Sequence, residues 1–372
     1  MQSIIIGPNQ AGQRFDKFLH KCLPEAQNSF LYKMLRKKNI TLNGKKAEGK
    51  EMLKEGDEVK LFFAEETFAK FAGKTAAQSA AMNSAMNPAA GAAATKAAAN
   101  SGQQSSGFTA QYREALRRLK GITVIYEDDH VLILNKPAGI LTQKASDSDV
   151  SLNEWMIGYL LSKGSITEQE LVTFKPSVCN RLDRNTSGLV LCGKSLPGSQ
   201  ALSRVIHDRT VKKFYRTIVS GSVSKDAKID GYLIKNEKTN KVQVFSSVEN
   251  QSGERIQTAY HVIDHFSHSF DRSSSKGFTY LEVELITGKT HQIRAHLAST
   301  GHALIGDYKY GNKRVNDGFR DRYGLSSQLL HAYRLEFPET NGALEGLSGK
   351  TVIAPLPELF TRILADFSQE EA

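Results

Sequence analysis

Two hydrophobic rhythms alternate along the chain. Phe15, Phe18, Leu19, Cys22 and Leu23 recur at i, i+3, i+4, i+7 and i+8, a spacing that predicts an amphipathic helix over QRFDKFLHKCL. SFLYKMLRKK predicts a second helix, with Asn28 or Ser29 placed to cap it. NITLNGKKA then predicts two short strands about an Asn43-Gly44 turn, and GDEVKLFF alternates like a closing strand. Residues 13–63 thus form a small folded unit. Further on, YREALRRLKG predicts a short helix and ITVIYEDDHVLILNKPAG two strands about an acidic turn, ending at Lys136-Pro137. SLNEWMIGYLLSKG is helical, SGLVLCGKS carries a short apolar strand, and GSQALSRVIHDRTVKKFYRTIVSG gives helix then strand. FTYLEVELITGKT alternates strongly as a strand and HQIRAHLASTG is helical. Helices and strands mix without strict alternation, which favours a mixed sheet over a doubly wound parallel one. No internal repeat is visible.

Between these parts the rhythm stops. KTAAQSAAMNSAMNPAAGAAATKAAANSGQQSSG offers almost no large apolar residue to fix it to a core, and Pro88, Gly91 and the Asn/Ser/Gly cluster interrupt the helix that alanine would favour. The expected division is a unit over 1–64, a flexible Ala/Ser/Asn/Gly-rich linker over 65–109 and a large domain over 110–372.

Charge and cysteine content narrow the partners. The 372 residues carry a net charge of +10, which points to polyanions. The three cysteines, Cys22, Cys179 and Cys192, show no metal or disulfide spacing and suit a reducing compartment. MQSIIIGPNQ lacks the basic start of a signal peptide, and no apolar stretch approaches the ~18 residues that span a bilayer. A soluble, cytoplasmic protein is expected.

NRLDRNTSGLVLCGKS, residues 180–195, admits two chemistries. Gly188 to Ser195 matches the written pattern of a phosphate-binding loop. Such a loop needs a flexible wrap of inward N–H groups opening into a helix at Lys194-Ser195. Leu189-Val190-Leu191-Cys192 reads instead as a buried strand, and Pro197-Gly198 follow almost at once. The alternative lies in Asp183, between Arg181 and Arg184. An Arg-x-Asp-Arg tetrapeptide is commonly a solvated ion-pair cluster. Here a turn, Asn185 to Gly188, exposes the carboxylate and an apolar strand anchors it, a fit place for catalysis. The two arginines would keep it ionised and could contact phosphates. Arg294, on the HQIRAHLASTG helix, is a second candidate partner for a buried carboxylate. Tyr215 lies on a strand among Lys212, Lys213 and Arg216, suited to stacking on a base while cations hold the backbone; a core tyrosine is the plainer alternative. His291, His296 and His302 do not share a helical face, so no metal site is expected. Cys179 has no evident base to activate it and reads as a small buried apolar residue.

Taken in order, YEDDHVLILNKPAGILTQ, NRLDRNTSGLVL, KKFYRTIVSG, ELITGKTHQIRAHLASTGHALIGDYKYG and LLHAYRLEF resemble the RluA-type pseudouridine synthases over roughly residues 118–366. Residues 13–63 resemble a small RNA-binding domain shared with a ribosomal small-subunit protein. The resemblance implies an α+β fold with a mixed, largely antiparallel sheet, preceded by a small α/β RNA-binding unit. It implies isomerisation of uridine to pseudouridine in RNA, most naturally large-subunit ribosomal RNA, by a monomer without cofactor, metal or membrane. The family's essential aspartate falls on Asp183, its aromatic partner on Tyr215 and its basic partner on Arg294. Asn180 departs from the histidine that many members carry before RLD, which leaves the target site open. Base flipping would expose the uridine, and Asp183 would attack the anomeric carbon or remove a sugar proton. The competing readings are a catalytically silent RNA-binding or ribosome-assembly protein on the same fold, and a synthase directed to transfer RNA.

RNA affinity is expected from the N-terminal unit. Residues 13–46 hold nine Lys/Arg against two acidic residues, an excess of seven. Arg14 and Lys17 share one helix with Lys21; Lys33, Arg36, Lys37 and Lys38 crowd the next; Lys45 follows the turn. With Arg181 and Arg184 these form the expected RNA-binding set, and the linker would let the unit search for RNA independently.

Overall fold

The computed structural model describes residues 2–72, 107–168, 170–236, 241–246, 253–267 and 277–370. In the N-terminal unit, β1 (Gln2–Ile5), α1 (Phe15–Cys22), α2 (Asn28–Arg36), β2 (Ile40–Leu42), β3 (Lys45–Lys46) and β4 (Glu58–Leu61) follow in chain order. The strands form one sheet in the order β1-β4-β2-β3. Asn43 and Gly44 both take positive φ, 52° and 71°, as a tight hairpin turn requires. Gln27, not Asn28 or Ser29, occupies the cap position of α2, with no side-chain cap bond. The alternation of Phe15, Phe18, Leu19 and Cys22 with charged residues places those four in the unit's core and leaves the lysines outside.

The linker boundary lies further along than the composition suggests. Residues 65–71, expected to begin the linker, form helix α3 (Glu65–Phe71). Its Phe68, with Ala72 beyond, is buried in the N-terminal core. EETFAKF carries two aromatic anchors, Phe68 and Phe71, within otherwise polar sequence, enough to dock a short helix that composition over a longer window hides. At the other end, α4 begins at Gly107 (Gly107–Arg118), inside the span assigned to the linker. Residues 73–106, where the rest of that expectation falls, lie outside the described residues.

The large domain is built on a sheet of 11 strands among the described residues. Its strands are β5 (Thr123–Glu127), β6 (Val131–Lys136), β7 (Ser177–Val178), β8 (Ser187–Gly193), β9 (Lys212–Ser220), β10 (Ala227–Asn236), β11 (Lys241–Phe245), β12 (Glu254–Phe266), β13 (Phe278–Leu285), β14 (Leu330–Glu336) and β15 (Thr351–Ile353). The path runs β11-β10-β12-β13-β9-β14-β8-β6-β5, with β15 beside β14 and β7 beside β8. Every pairing is antiparallel except β14 with β8. The fold is therefore α+β on a mixed, largely antiparallel sheet. The helices are α5 (Leu152–Ser162), α6 (Glu170–Thr173), α7 (Leu196–His207), α8 (Gln292–Ser299), α9 (Lys313–Tyr323) and α10 (Glu358–Glu370).

The unbroken apolar runs in β6 and β8 follow from cover on both faces. Leu132, Leu134, Val190 and Cys192 pack with α5 on one side, whereas Val131, Ile133, Leu189 and Leu191 pack with Leu202 of α7 on the other. Gly188 marks the parallel seam. It sits at φ 112°, and a Cβ there would lie 2.2 Å from the Ala332 carbonyl oxygen of β14. No helix of the described residues is long and apolar enough to cross a membrane.

The N-terminal unit rests against the large domain through α6. Gln10 Nε2 donates to Thr173 Oγ1 at 2.7 Å, and Val172 packs on the N-terminal core. A unit expected to search independently is thus docked by a polar contact and an apolar one.

His331, fully buried on β14, shares a 2.8 Å hydrogen bond with Ser187 Oγ across the seam. Burial pushes its imidazole down from 6.5 to about 4. The unfolded chain takes up this proton near 6.5 and the folded one only near 4, so stability is full above that window and falls as pH drops through it. The expected loss is about 3 kcal/mol. Denaturant melts between pH 7 and 4 check it: His331→Asn flattens that part of the pH dependence.

Candidate active site

The sheet brings three segments to one cleft of about 540 Å³, lined by the loop before β8, by β9, and by the β13–α8 connection. Asp183, Tyr215 and Arg294, far apart in sequence, all face it.

The loop carrying Asp183 is pinned on both sides. Thr142 Oγ1 donates to the Leu182 carbonyl at 2.8 Å and accepts from the Leu182 N–H at 3.1 Å. On the other side, the Arg184 carbonyl accepts from Lys136 Nζ at 3.0 Å and from the Gly139 N–H at 2.9 Å. A turn closes with Thr186 N–H on the Asp183 carbonyl, as the Asn-Thr-Ser-Gly sequence suggests. Asp183 is left half-buried with its carboxylate toward the cleft.

Lys136 is fully buried, and its Nζ reaches three carbonyls, those of Pro137, Ile140 and Arg184. Burial pushes its ammonium down to about 7, against the pull of the Asp183 charge. Three acceptors match the three N–H bonds of an ammonium, so the cage favours the charged form. It ties the end of β6 to the Asp183 loop.

Arg294 is the link between two acids. Its Nη1 donates to Asp183 Oδ2 at 3.0 Å, while Nε and Nη2 grip the Asp307 oxygens at 2.7 and 2.9 Å. Asp307 is fully buried and Arg294 is buried beside it. Burial works against the guanidinium charge, but Asp307 and then Asp183 outweigh it and hold Arg294 above its usual range. The fork leaves one edge for Asp183 and fixes its direction.

Tyr215 lies between Val283 of β13 and Ala332 of β14, buried in the main core with one side on the cleft. Burial, and then the Asp183 charge, push its phenol far above its ordinary value. That disfavours it as a proton acceptor and suits it as an apolar platform. The cations expected around it are not all there. Strand alternation sends Arg216 to the opposite face, where it pairs with Glu282 at 3.0 Å and stacks over Tyr333. Lys212 lies 3.9 Å from Glu336.

Other expectations resolve locally. Arg181 and Arg184 are exposed at the rim of the cleft. Arg14, Lys17, Lys33, Arg36, Lys37, Lys38 and Lys45 are exposed on the N-terminal unit, Arg14 in an ion pair with Asp16 at 2.6 Å. Asn180 turns away from the cleft: its Oδ1 accepts from the Leu191 N–H at 2.7 Å, pinning β8. The departure from histidine at that position therefore acts on the strand. A helix does open after the phosphate-loop match, with Pro197 in the first turn of α7, where proline is tolerated. The match still has no phosphate wrap, because Ser187–Gly193 is buried strand throughout and Lys194 Nζ is engaged by Glu127 at 2.8 Å and the Asp128 carbonyl at 2.6 Å. Cys179 is half-buried, and burial raises its thiol to about 11. Among the described residues no group of three His, Cys, Asp or Glu could hold a metal.

The sequence did not single out Lys136, Thr142 and Asp307, and weighed His291 only as a metal ligand. Lys136-Pro137 stood at a strand end, and Asp307 lay in the quoted GDYKYG; in neither case does local spacing reveal the partner.

The description RNA pseudouridylate synthase matches residues 130–299. Ribosomal large subunit pseudouridine synthase D of Zymomonas mobilis subsp. mobilis is 30% identical over 237 residues, covering 62% of this chain and 67% of that protein. Ribosomal large subunit pseudouridine synthase C of Vibrio parahaemolyticus is 28% identical over 345 residues, 91% of this chain and 88% of that protein. The solved human RNA Pseudouridylate Synthase Domain Containing 4 shares the fold, with a TM-score of 0.51 over 69% of this chain and 95% of that one at 19% identity. The chain belongs to the RNA pseudouridylate synthase family, in its RluA-type branch, and is an RNA pseudouridine synthase.

Lys136→Met takes the ammonium donor from the Pro137 and Ile140 carbonyls and one of two donors from the Arg184 carbonyl, and is expected to cost about 3–5 kcal/mol in denaturant melts. Lys194→Ala is expected to lower stability by about 1–3 kcal/mol while leaving pseudouridine formation within about threefold of wild type. Abolished activity in a folded Lys194→Ala protein would overturn its structural role.

Proposed function

We propose that this synthase isomerises specific uridines in large-subunit ribosomal RNA, acting from the cytoplasm as a monomer, with Asp183 as the group that engages the sugar. The observation that carries the reading is the Asp183–Arg294–Asp307 chain at the cleft. One carboxylate is presented to the cleft on a braced loop, with a cation held against it by a second, buried carboxylate. The target uridine is everted into the cleft, since its sugar and ring atoms are out of reach in a stack. Asp183 attacks the anomeric carbon or removes the neighbouring sugar proton. By either route uracil leaves with the electron pair of the C1′–N1 bond and turns; its C5 then bonds to C1′, expelling the Asp183 carboxylate in the first route or with the proton returned to C2′ in the second, and C5 gives up its proton while N1 takes one up. Tyr215 serves as the surface on which the freed base rests. Arg181 and Arg184 at the rim, and the lysines and arginines of residues 14–45, neutralise backbone phosphates. The ribosomal target is supported by the names of the relatives and by the N-terminal basic unit.

The test is tritium release from large-subunit ribosomal RNA labelled at uracil C5. Wild type releases tritium; Asp183→Ala loses at least about a thousandfold while still binding RNA. Release that survives Asp183→Ala reassigns the reacting group. Mapping pseudouridines in RNA from cells with and without the gene identifies the positions, and loss confined to transfer RNA would overturn the ribosomal target.

A further inference from the structure

His291 is the residue in the cleft whose geometry the mechanism above leaves unused. It precedes α8 in a left-handed conformation, φ 54°, which non-glycine residues adopt at a cost of roughly 1–2 kcal/mol. The surrounding loop enforces this. Gln292 is buried, accepts from Thr287 Oγ1 at 2.8 Å and from the Lys289 N–H at 3.1 Å, and donates to the Gln257 carbonyl at 2.9 Å. That folds the Gly288-Lys289-Thr290 stretch back on itself and turns the imidazole into the cleft.

The hydrogen bonds behind the ring suit a ring proton on Nε2. Tyr310 Oη accepts from the Val242 N–H at 3.1 Å and lies 2.9 Å from His291 Nδ1. With one lone pair taken by that N–H, the phenol has its own proton to give to Nδ1. Nδ1 is then the acceptor, and Nε2 carries the ring proton. Nε2 lies 3.8 Å from Asp183 Oδ2, on the cleft side. Burial, with the Arg294 and Lys309 cations, pushes this imidazole below its usual range, while Asp183 and Asp307 pull it up. The net direction favours the neutral ring with its single N–H in front.

We infer that His291 Nε2–H is a substrate contact, donating a hydrogen bond to the ribose 2′-hydroxyl of the everted uridine. The acceptor follows from placement and rests on the reading that Asp183 works at the sugar. A donor 3.8 Å from the carboxylate oxygen that addresses C1′ is within reach of the oxygen on the adjacent carbon. A cradle of this kind would let the enzyme sense the 2′-hydroxyl that distinguishes RNA from DNA.

The experiment uses the full chain and two synthetic RNAs spanning a mapped target, one with uridine and one with 2′-deoxyuridine at that position. The measurement is the single-turnover rate of conversion at saturating enzyme. His291→Asn tolerates the left-handed backbone but is too short to present an N–H at the Nε2 position; His291→Gln reaches it. Wild type is expected to lose about 10- to 30-fold on the deoxy target. His291→Asn loses about as much on the ribo target and less than about threefold more on the deoxy target, and His291→Gln recovers part of the rate. Tyr310→Phe slows the ribo reaction and adds little in the His291→Asn background. Equal ribo-to-deoxy ratios in wild type and His291→Asn overturn the contact, as does a loss in RNA affinity alone. If Asp183→Ala proves active, the sugar reading itself fails, and wild-type discrimination against the deoxy target, scored separately, shows which claim has fallen.

Discussion

The site depends on a guanidinium held between two carboxylates. Asp307 takes two edges of Arg294 in a dry setting and Asp183 takes the third. A buried arginine without a buried acid would be costly, and a cleft carboxylate without a fixed cation would find its own partner in solvent. The pair solves both problems, because the inner acid neutralises and orients the cation while the outer one remains open to the cleft. Replacing the fork by lysine would keep the charge and lose the direction.

The sheet makes that arrangement repeatable. Cover on both faces of β6 and β8 fixes their register, and a one-residue slip would exchange the two cores. From that rigid base the Asp183 loop is tethered by a threonine hydroxyl on one side and a caged ammonium on the other. The same sheet sets Tyr215 between two neighbours and leaves no room for a residue larger than glycine at the parallel seam. Placement of the cleft residues thus comes from packing, from side chains that tie the loop backbone, and from the Arg294 contact to Asp183.

The docked N-terminal unit alters how RNA capture is to be pictured. A basic unit tethered by a low-complexity stretch suggests independent search, but Gln10 on Thr173 and Val172 in the N-terminal core join it to α6. The basic residues of α1 and α2 face outward while docked, so phosphate binding and docking do not compete for the same side chains.

The sequence by itself determined many of the elements and singled out Asp183, Tyr215 and Arg294, which the fold brings to one cleft. Periodicity located α1, α2, α4, α5, α7 and α8 and the strands β2 to β6, β8, β9 and β13, because burial writes a period of 3.6 or 2 into apolar positions; it did not single out α9, α10 or β10 to β12. The order of long motifs, together with Asp183 lodged between arginines, pointed to the chemistry. Spacing could not show that a helix opens at Leu196 despite Pro197, or that Phe68 draws residues 65–71 into the N-terminal core. Nor could it show what Lys136, Thr142, His291 and Asp307 do. Each acts on a partner across the fold, such as Lys136 on Arg184 or Thr142 on Leu182. Only the tertiary structure decided these, because a hydrogen bond between distant segments leaves no period in the chain and exists only once the sheet has brought its two ends together.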